Sequence, residues 1–159
     1  MNHKIKNPEL LENGYIIVEF TIDKPILDLI KNKKWKNLDN YFLEISKTNG
    51  LLHNFLSTFV EFQKLEHIIA IRSAPEDEDG IWHDDGSRIL GFSLSLNLSS
   101  TLIAGGELRF KKKEKREWIT IKPLPIGQMA IFLSGLYGYE HMVSAVTKEE
   151  RIVIAGWCS

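Results

Sequence analysis

Cysteine is almost absent from this 159-residue chain, Cys158 being the sole one. No internal disulfide can form, so the stapled framework of a small secreted domain is excluded and a reducing cytoplasm is the expected compartment. An excess of charge of one sign is missing too, with 20 Lys+Arg against 21 Asp+Glu. Binding nucleic acid through whole-domain charge leaves a basic surplus that this composition lacks, so no such partner is expected. Long hydrophobic runs are also lacking. None approaches the ~20 residues of a membrane span, and Met1 to Pro8 has no apolar stretch behind its lysines, so neither export nor insertion is expected. Repeats, low-complexity tracts and Pro/Ser-rich linkers are equally missing. A chain this long can bury roughly 70% of its unfolded surface around one core. One domain over residues 1–159 is therefore expected.

What is present changes period part-way along. Tyr15 to Phe20 reads as a strand, and the segment from Asp23 to Gln63 carries helical signals. Asp23 can cap a helix with Pro25 in its first turn, and Leu27, Ile30 and Trp35 recur at helical spacing. After Asn49-Gly50, the stripe Leu51, Leu52, Phe55, Phe59 and Phe62 predicts a later helix. From Leu65 onward the period is two, with predicted strands near 66–72, 89–98, 107–111, 117–122, 128–133, 139–146 and 151–157. The expected fold is mainly β, with a helical buttress over about 15–64 and a β core over about 65–159. Within it, Leu90, Phe92, Leu94, Leu96 and Leu98 alternate with Gly91, Ser93, Ser95, Asn97 and Ser99. Bulky groups thus take one face and small polar groups the other, as the wall of a solvated pocket requires, although a half-exposed strand gives the same pattern.

Trp82-His83-Asp84-Asp85-Gly86 brings residue types suited to more than a core. On an extended segment His83 and Asp85 project to one side, where a nitrogen and a carboxylate oxygen can reach one ion, while Asp84 points away. Taken alone, such a triplet is more often an acidic surface turn than a metal site. The stretch from Glu140-His141 to Arg151 and Trp157 reads as a hairpin with a polar turn at Thr147 to Glu150. Arg151 would then sit opposite Val146, roughly 16 Å along the ladder from His141. An ion at His141 could chelate one end of a small dicarboxylate whose other end met the Arg151 guanidinium. Alternatively, His141 is a hydrogen-bonded histidine at a barrel mouth and Arg151 a surface residue paired with Glu149 or Glu150. Trp157 is expected to pack under the barrel end rather than to line the cosubstrate pocket. Pro75 to Gly80 reads as a solvated loop or as a mobile rim admitting a basic or polar substrate, and Lys111 to Arg116 as a hairpin tip whose lysines guard an edge strand.

Taken in order, these pieces resemble the iron(II)- and 2-oxoglutarate-dependent dioxygenases, in particular their compact prolyl-4-hydroxylase-like branch. The likeness covers about Leu65 to Trp157. It rests on His83-Asp84-Asp85 with Arg88 behind, Leu96-Asn97, Gly105-Gly106-Glu107-Leu108, Pro125-x-Gly127 before Ala130-Ile131-Phe132, and His141-x-Val143 through Val146 to Arg151. The resemblance implies a double-stranded β-helix, or jelly roll, with the amino-terminal helices packed on the major sheet. By position it makes His83, Asp85 and His141 the metal-binding and catalytic triad for Fe(II), and Arg151 the residue for the far carboxylate of 2-oxoglutarate. It further implies O₂ as cosubstrate, ascorbate as a candidate reductant, and hydroxylation of a peptide side chain or small molecule with release of succinate and CO₂. Asp85 keeps the carboxylate that the halogenase branch lacks. Two positions depart from the pattern. Ser95 stands where many members carry a tyrosine that assists the arginine, so Ser93, Ser95 or a water takes that part in the cosubstrate pocket. Ile69 to Ser73 likewise lacks the tyrosine often found there. Two other readings fit the same ligands: a β-helix module that binds metal or ligand without turnover, and a zinc hydrolase with Asp84 as its base.

Overall fold

The structure is a computed structural model and describes residues 4–159; Met1 to His3 of the amino-terminal segment lie outside the described residues. Local chemistry sets the first helix, α1 (Pro8–Asn13). Asn7 caps it by accepting from the Leu10 N–H at 2.8 Å, Pro8 fits its first turn, and Gly14 ends it at φ +81. This helix was not foreseen. A short polar segment with a cap and a proline offers no apolar period to read.

Strand β1 (Tyr15–Glu19) follows, then α2 (Lys24–Lys31), α3 (Trp35–Ser46) and α4 (Leu51–Ser57). Asp23 occupies the position before α2, although its side chain makes no capping hydrogen bond. The helix after Gly50 stops at Ser57, so Phe59 and Phe62 lie beyond it; Leu52 and Leu56, one turn apart, are its buried pair. Both phenylalanines still pack against the core from the connecting segment.

The β core comprises β2 (Leu65–Ser73), β3 (Leu90–Ser95), β4 (Ala104–Gly105), β5 (Leu108–Lys112), β6 (Ile119–Ile121), β7 (Gln128–Leu133), β8 (Tyr139–Val143), β9 (Val146–Lys148) and β10 (Glu150–Cys158). A five-stranded major sheet runs β1-β7-β3-β10-β2, and a three-stranded minor sheet runs β6-β5-β8, with β4-β9 as a separate pair. All pairings are antiparallel. The hairpin expected between 139–146 and 151–157 is not formed. Strand β8 pairs with β5 in the minor sheet and β10 with β2 and β3 in the major one, so the turn at Lys148 to Glu150 carries the chain between sheets.

Helices and sheet share one core. Leu90, Phe92, Leu94, Met129, Ile131, Ile154 and Cys158 of the major sheet join Ile30, Leu38, Phe42, Leu52 and Leu56 of the helices in a single buried cluster. The alternate residues of the same strands face the other way. In register across the sheet these are Arg151 with Arg72, Val153 with Ala70 and Ser95, and Ala155 with Ser93. Small side chains at those positions leave room between the sheets, and a cavity of about 190 Å³ lies there.

Candidate active site

Side chains from two distant segments, His83 and Asp85 on one and His141 on the other, meet at one edge of this cavity. His83, Asp85 and His141 each offer a ligand atom, all within 4.8 Å of one another. His83 Nε2 lies 3.5 Å from Asp85 Oδ1 and His141 Nε2 lies 3.4 Å from Asp85 Oδ2. Backbone pairing causes the convergence. His83 and His141 form an antiparallel bridge, each N–H donating to the other's carbonyl at 3.0 and 2.8 Å, and their rings sit 4.3 Å apart. The route differs from the extended segment expected. Asp85 takes a left-handed conformation, φ +57, and the resulting turn brings its carboxylate beneath His83. Asp84 points away, as its Oδ1 accepts from the Gly86 N–H at 2.9 Å and its Oδ2 pairs with Lys113.

The donors are prepared for a cation. His83 Nδ1 donates to the Ile81 carbonyl at 2.8 Å, which leaves Nε2 as the ring atom turned to the site. His141 is only 7% exposed, with the Phe132 ring edge-on at 4.9 Å. Burial, aided by His83, lowers its pKa to about 4 against the opposing pull of Asp85, so the imidazole is neutral at physiological pH. Asp85 is held from behind. Trp157 Nε1 donates to its Oδ2 at 2.7 Å, and Arg88 Nη1 approaches Oδ1 at 3.6 Å. Two imidazoles and one carboxylate on one side suit a divalent transition metal with open positions.

Arg151 lines the same cavity as His141. Its residue is 5% exposed, its Nε has no hydrogen-bond partner, and Nη2 reaches only Ser93 Oγ, at 3.4 Å. Pairing with Glu149 or Glu150 is absent among the described contacts; Glu150 instead meets Ser73 and Lys33. Burial and the neighbouring Arg72 guanidinium lower the Arg151 pKa to about 10, partly offset by Asp77. Gly106 makes room for it. At φ +66, a Cβ there would sit 2.8 Å from Arg151 Cδ and 2.9 Å from Val146 Cγ2.

The two serines divide. Ser93 stands beside the guanidinium, whereas Ser95 donates to the Leu124 carbonyl at 2.5 Å and accepts from Asn97 Nδ2 at 3.0 Å and Asn97 N at 3.2 Å. Asn97 in turn accepts from Ile152 N at 2.7 Å, locking this corner of the sheet.

Three further expectations need correction or addition. Trp157 does not merely pack under the barrel end, since it lines the cavity and bonds to Asp85. Its place in the period-two pattern after Arg151, Val153 and Ala155 puts it on the cavity face, a signal available in the sequence. Pro75 to Gly80 is fastened rather than free. Asp77 accepts from Arg72 Nε at 3.0 Å and Val146 N at 2.7 Å, Asp79 accepts from Ala145 N at 2.7 Å, and Gly80 N donates to the Val143 carbonyl at 2.8 Å. Arg72 Nη1 also donates to the Val143 carbonyl at 3.1 Å and Nη2 to that of Glu78, so one guanidinium joins β2, the loop and β8. This arginine's part has no signal in the sequence, because its partners lie in a loop and on the opposite sheet.

The model of the 2OG-Fe(II) oxygenase superfamily matches residues 73–159, more than half of the chain. The chain belongs to this superfamily. Its fold is correspondingly that of solved family structures. A prolyl-4-hydroxylase from Pseudomonas putida superposes with a TM-score of 0.64 at 18% identity, covering 99% of this chain and 95% of that one. A 2OG-Fe(II) oxygenase family oxidoreductase from Burkholderia pseudomallei gives 0.66 at 15% identity, covering 95% and 86%. A prolyl hydroxylase from Trichoplax adhaerens, solved with a peptide fragment of the hypoxia inducible factor oxygen degradation domain, gives 0.61 at 15%, covering 94% and 85%. Comparison with curated proteins gives no match. Membership in the superfamily makes the protein a 2-oxoglutarate- and iron-dependent oxygenase and favours that reading over a zinc hydrolase or a module without turnover. Among the described residues no helix is long and apolar enough to cross a membrane.

Proposed function

We propose that His83, Asp85 and His141 hold Fe(II), that Arg151 receives the far carboxylate of 2-oxoglutarate, and that the product is a hydroxylated peptide side chain or small molecule. Arg151 carries the reading. A buried cation with an unpartnered Nε, in the cavity that His141 also lines, is costly until an anion fills the space beside it. A dicarboxylate small enough for about 190 Å³ answers that need through two parallel hydrogen bonds to the guanidinium.

When bound, the metal supplies the activation of O₂ that couples loss of CO₂ from the 2-oxo acid to C–H oxidation. The rest falls to this chain's residues. His83 and His141 offer imidazole nitrogens and Asp85 a carboxylate. Phe132, Val143 and Ala155 wall the cavity with apolar surface that excludes water. Ser93, beside the guanidinium, takes the part of the tyrosine that Ser95 replaces, while Ser95 braces the cavity wall through Leu124 and Asn97. A substrate approaches from the side of His83, whose side chain is half exposed where His141 is closed off. Support for a peptide substrate comes from the Trichoplax adhaerens neighbour, whose structure holds one. The whole chain acts as one domain in a reducing cytoplasm, which suits both a ferrous ion and the buried Cys158 thiol; ascorbate serves to re-reduce iron after uncoupled turnover.

The test is product formation. Protein with Fe(II), 2-oxoglutarate and a panel of proline-containing peptides should release succinate with O₂ consumption, and His141→Ala should abolish both. Succinate release that persists in His141→Ala would overturn the assignment.

A further inference from the structure

The cavity between the sheets has a small annex at Arg151. Ala130, Ser93 and Ala155 stand in register across β7, β3 and β10, a row of small side chains on the cavity face. Two residues along β3, Ser95 fills little of the space, because its hydroxyl is drawn to the Leu124 carbonyl at 2.5 Å. What remains is a void of about 10 Å³ lined by Ser93, Ser95, Asn97, Gly106, Ala130 and Arg151, room for about one water. Ser93, Leu108, Arg151 and Val153 border this void and the larger cavity alike, so the two adjoin. By itself a row of small residues means only loose packing. The arginine gives it direction. Buried to 5% exposure, Arg151 has no hydrogen-bond partner for its Nε, and the 3.4 Å approach of Nη2 to Ser93 is too long to pin the guanidinium. Gly106 presents no side chain to the arginine's stem, where a Cβ would come within 2.8 Å of Cδ.

We infer that the cosubstrate site accepts a 2-oxo dicarboxylate one methylene longer than 2-oxoglutarate, namely 2-oxoadipate, with the Arg151 guanidinium drawing back into the void to meet its far carboxylate. The inference rests on the cosubstrate role proposed above for Arg151. A pocket cut to one chain length rejects an extra methylene by about 10- to 200-fold, because a packed wall must be displaced. Here no wall has to move, since a methylene needs about the space that one water takes. In turnover the longer acid loses its C1 carboxyl as CO₂ and takes one oxygen of O₂ to become glutarate, while the other oxygen enters the hydroxylated product.

Anaerobic calorimetry on the Mn(II)-loaded protein, titrated with each acid in turn, tests this. Wild type should bind 2-oxoadipate within about fivefold of its affinity for 2-oxoglutarate, below the discrimination of a fitted pocket. A larger gap, with 2-oxoglutarate bound, would overturn the inference. Ala130→Val then fills the void from β7. It should lower 2-oxoadipate affinity by about tenfold or more and leave that for 2-oxoglutarate within about threefold of wild type. A smaller loss for the longer acid, or an equal one for both, would overturn the inference as well. Should the valine variant not fold, the wild-type comparison decides alone. Wild type that binds neither acid would instead remove the reading of Arg151 on which the inference stands.

Discussion

Replacing Arg151 by methionine sets two consequences of one environment against each other. The guanidinium is buried, with Nε unpartnered and a single 3.4 Å approach to Ser93. Its pKa, lowered to about 10 by burial and by Arg72, corresponds to a penalty of about 3 kcal/mol on the charged form in the empty cavity. For a cation with a depressed folded-state pKa the sign is destabilising. The penalty is present in full below pH 10 and fades as pH rises beyond it. Methionine keeps much of the volume and removes the charge, so the unliganded variant should gain about 1–3 kcal/mol, or about 2–4 °C in Tm for each kcal/mol. The same change removes the partner of a buried carboxylate, which costs about 2–5 kcal/mol, roughly 30- to 5,000-fold in 2-oxoglutarate affinity. Calorimetric melts with and without 2-oxoglutarate in the presence of Mn(II) read both effects. Wild type should melt lower than the variant alone and gain from the cosubstrate, while the variant should not gain. A variant that melts lower without ligand, or gains as much as wild type with it, would refute the reasoning.

Other residues extend the test. Gly106→Ala forces a Cβ into contact with Arg151 and Val146 at positive φ; a denaturant melt should show a loss of about 1–3 kcal/mol, with weaker 2-oxoglutarate binding because the guanidinium stem is displaced. Asp77→Asn weakens the bond to Arg72 that fastens the rim loop, and at pH 7 should cost about 1–3 kcal/mol. Burial opposes ionisation of Asp77, but the Val146 N–H and Arg72 outweigh it and hold its pKa below the ordinary value. Wild-type stability from this group is therefore present above the ordinary carboxylate pKa and lost as pH falls through the lower folded value, a decline that should flatten in the variant's acid melts. Asp84→Asn should retain metal binding and succinate formation within a few-fold, since Asp84 faces Lys113 and not the ion site; abolished turnover would revive a role for Asp84 as base.

Much of this was legible where a side chain's role follows from its own strand. Leu90 to Ser95 declared its two faces, and the structure buries the leucines on the helices and lines the cavity with Ser93. The three side chains proposed to hold the metal were legible as residue types in a known order, though not the means of their meeting. Asp85 reaches the site through a left-handed turn that a simple alternation of faces does not foresee, and His141 reaches it through a bridge to His83. Partners across sheets stayed hidden. Reading β8 and β10 as one hairpin was natural from their spacing, yet each finds its neighbours in a different sheet, because the closer contacts are fixed by which apolar faces can share a core. The Arg72–Val143 link and the Trp157–Asp85 bond belong to the same class. Both join residues about 70 positions apart that only the folded chain brings together.

The central claim is that four groups, His83, Asp85, His141 and Arg151, serve one ion and one dicarboxylate in a shared cavity. Anaerobic addition of Fe(II) and then 2-oxoglutarate, followed by visible absorption, tests it most directly. The account expects the weak charge-transfer band of a 2-oxo acid chelated to ferrous iron, lost in Asp85→Ala and requiring far more cosubstrate in Arg151→Met. No band at saturating 2-oxoglutarate in wild type, or a band unchanged in Asp85→Ala, would contradict it.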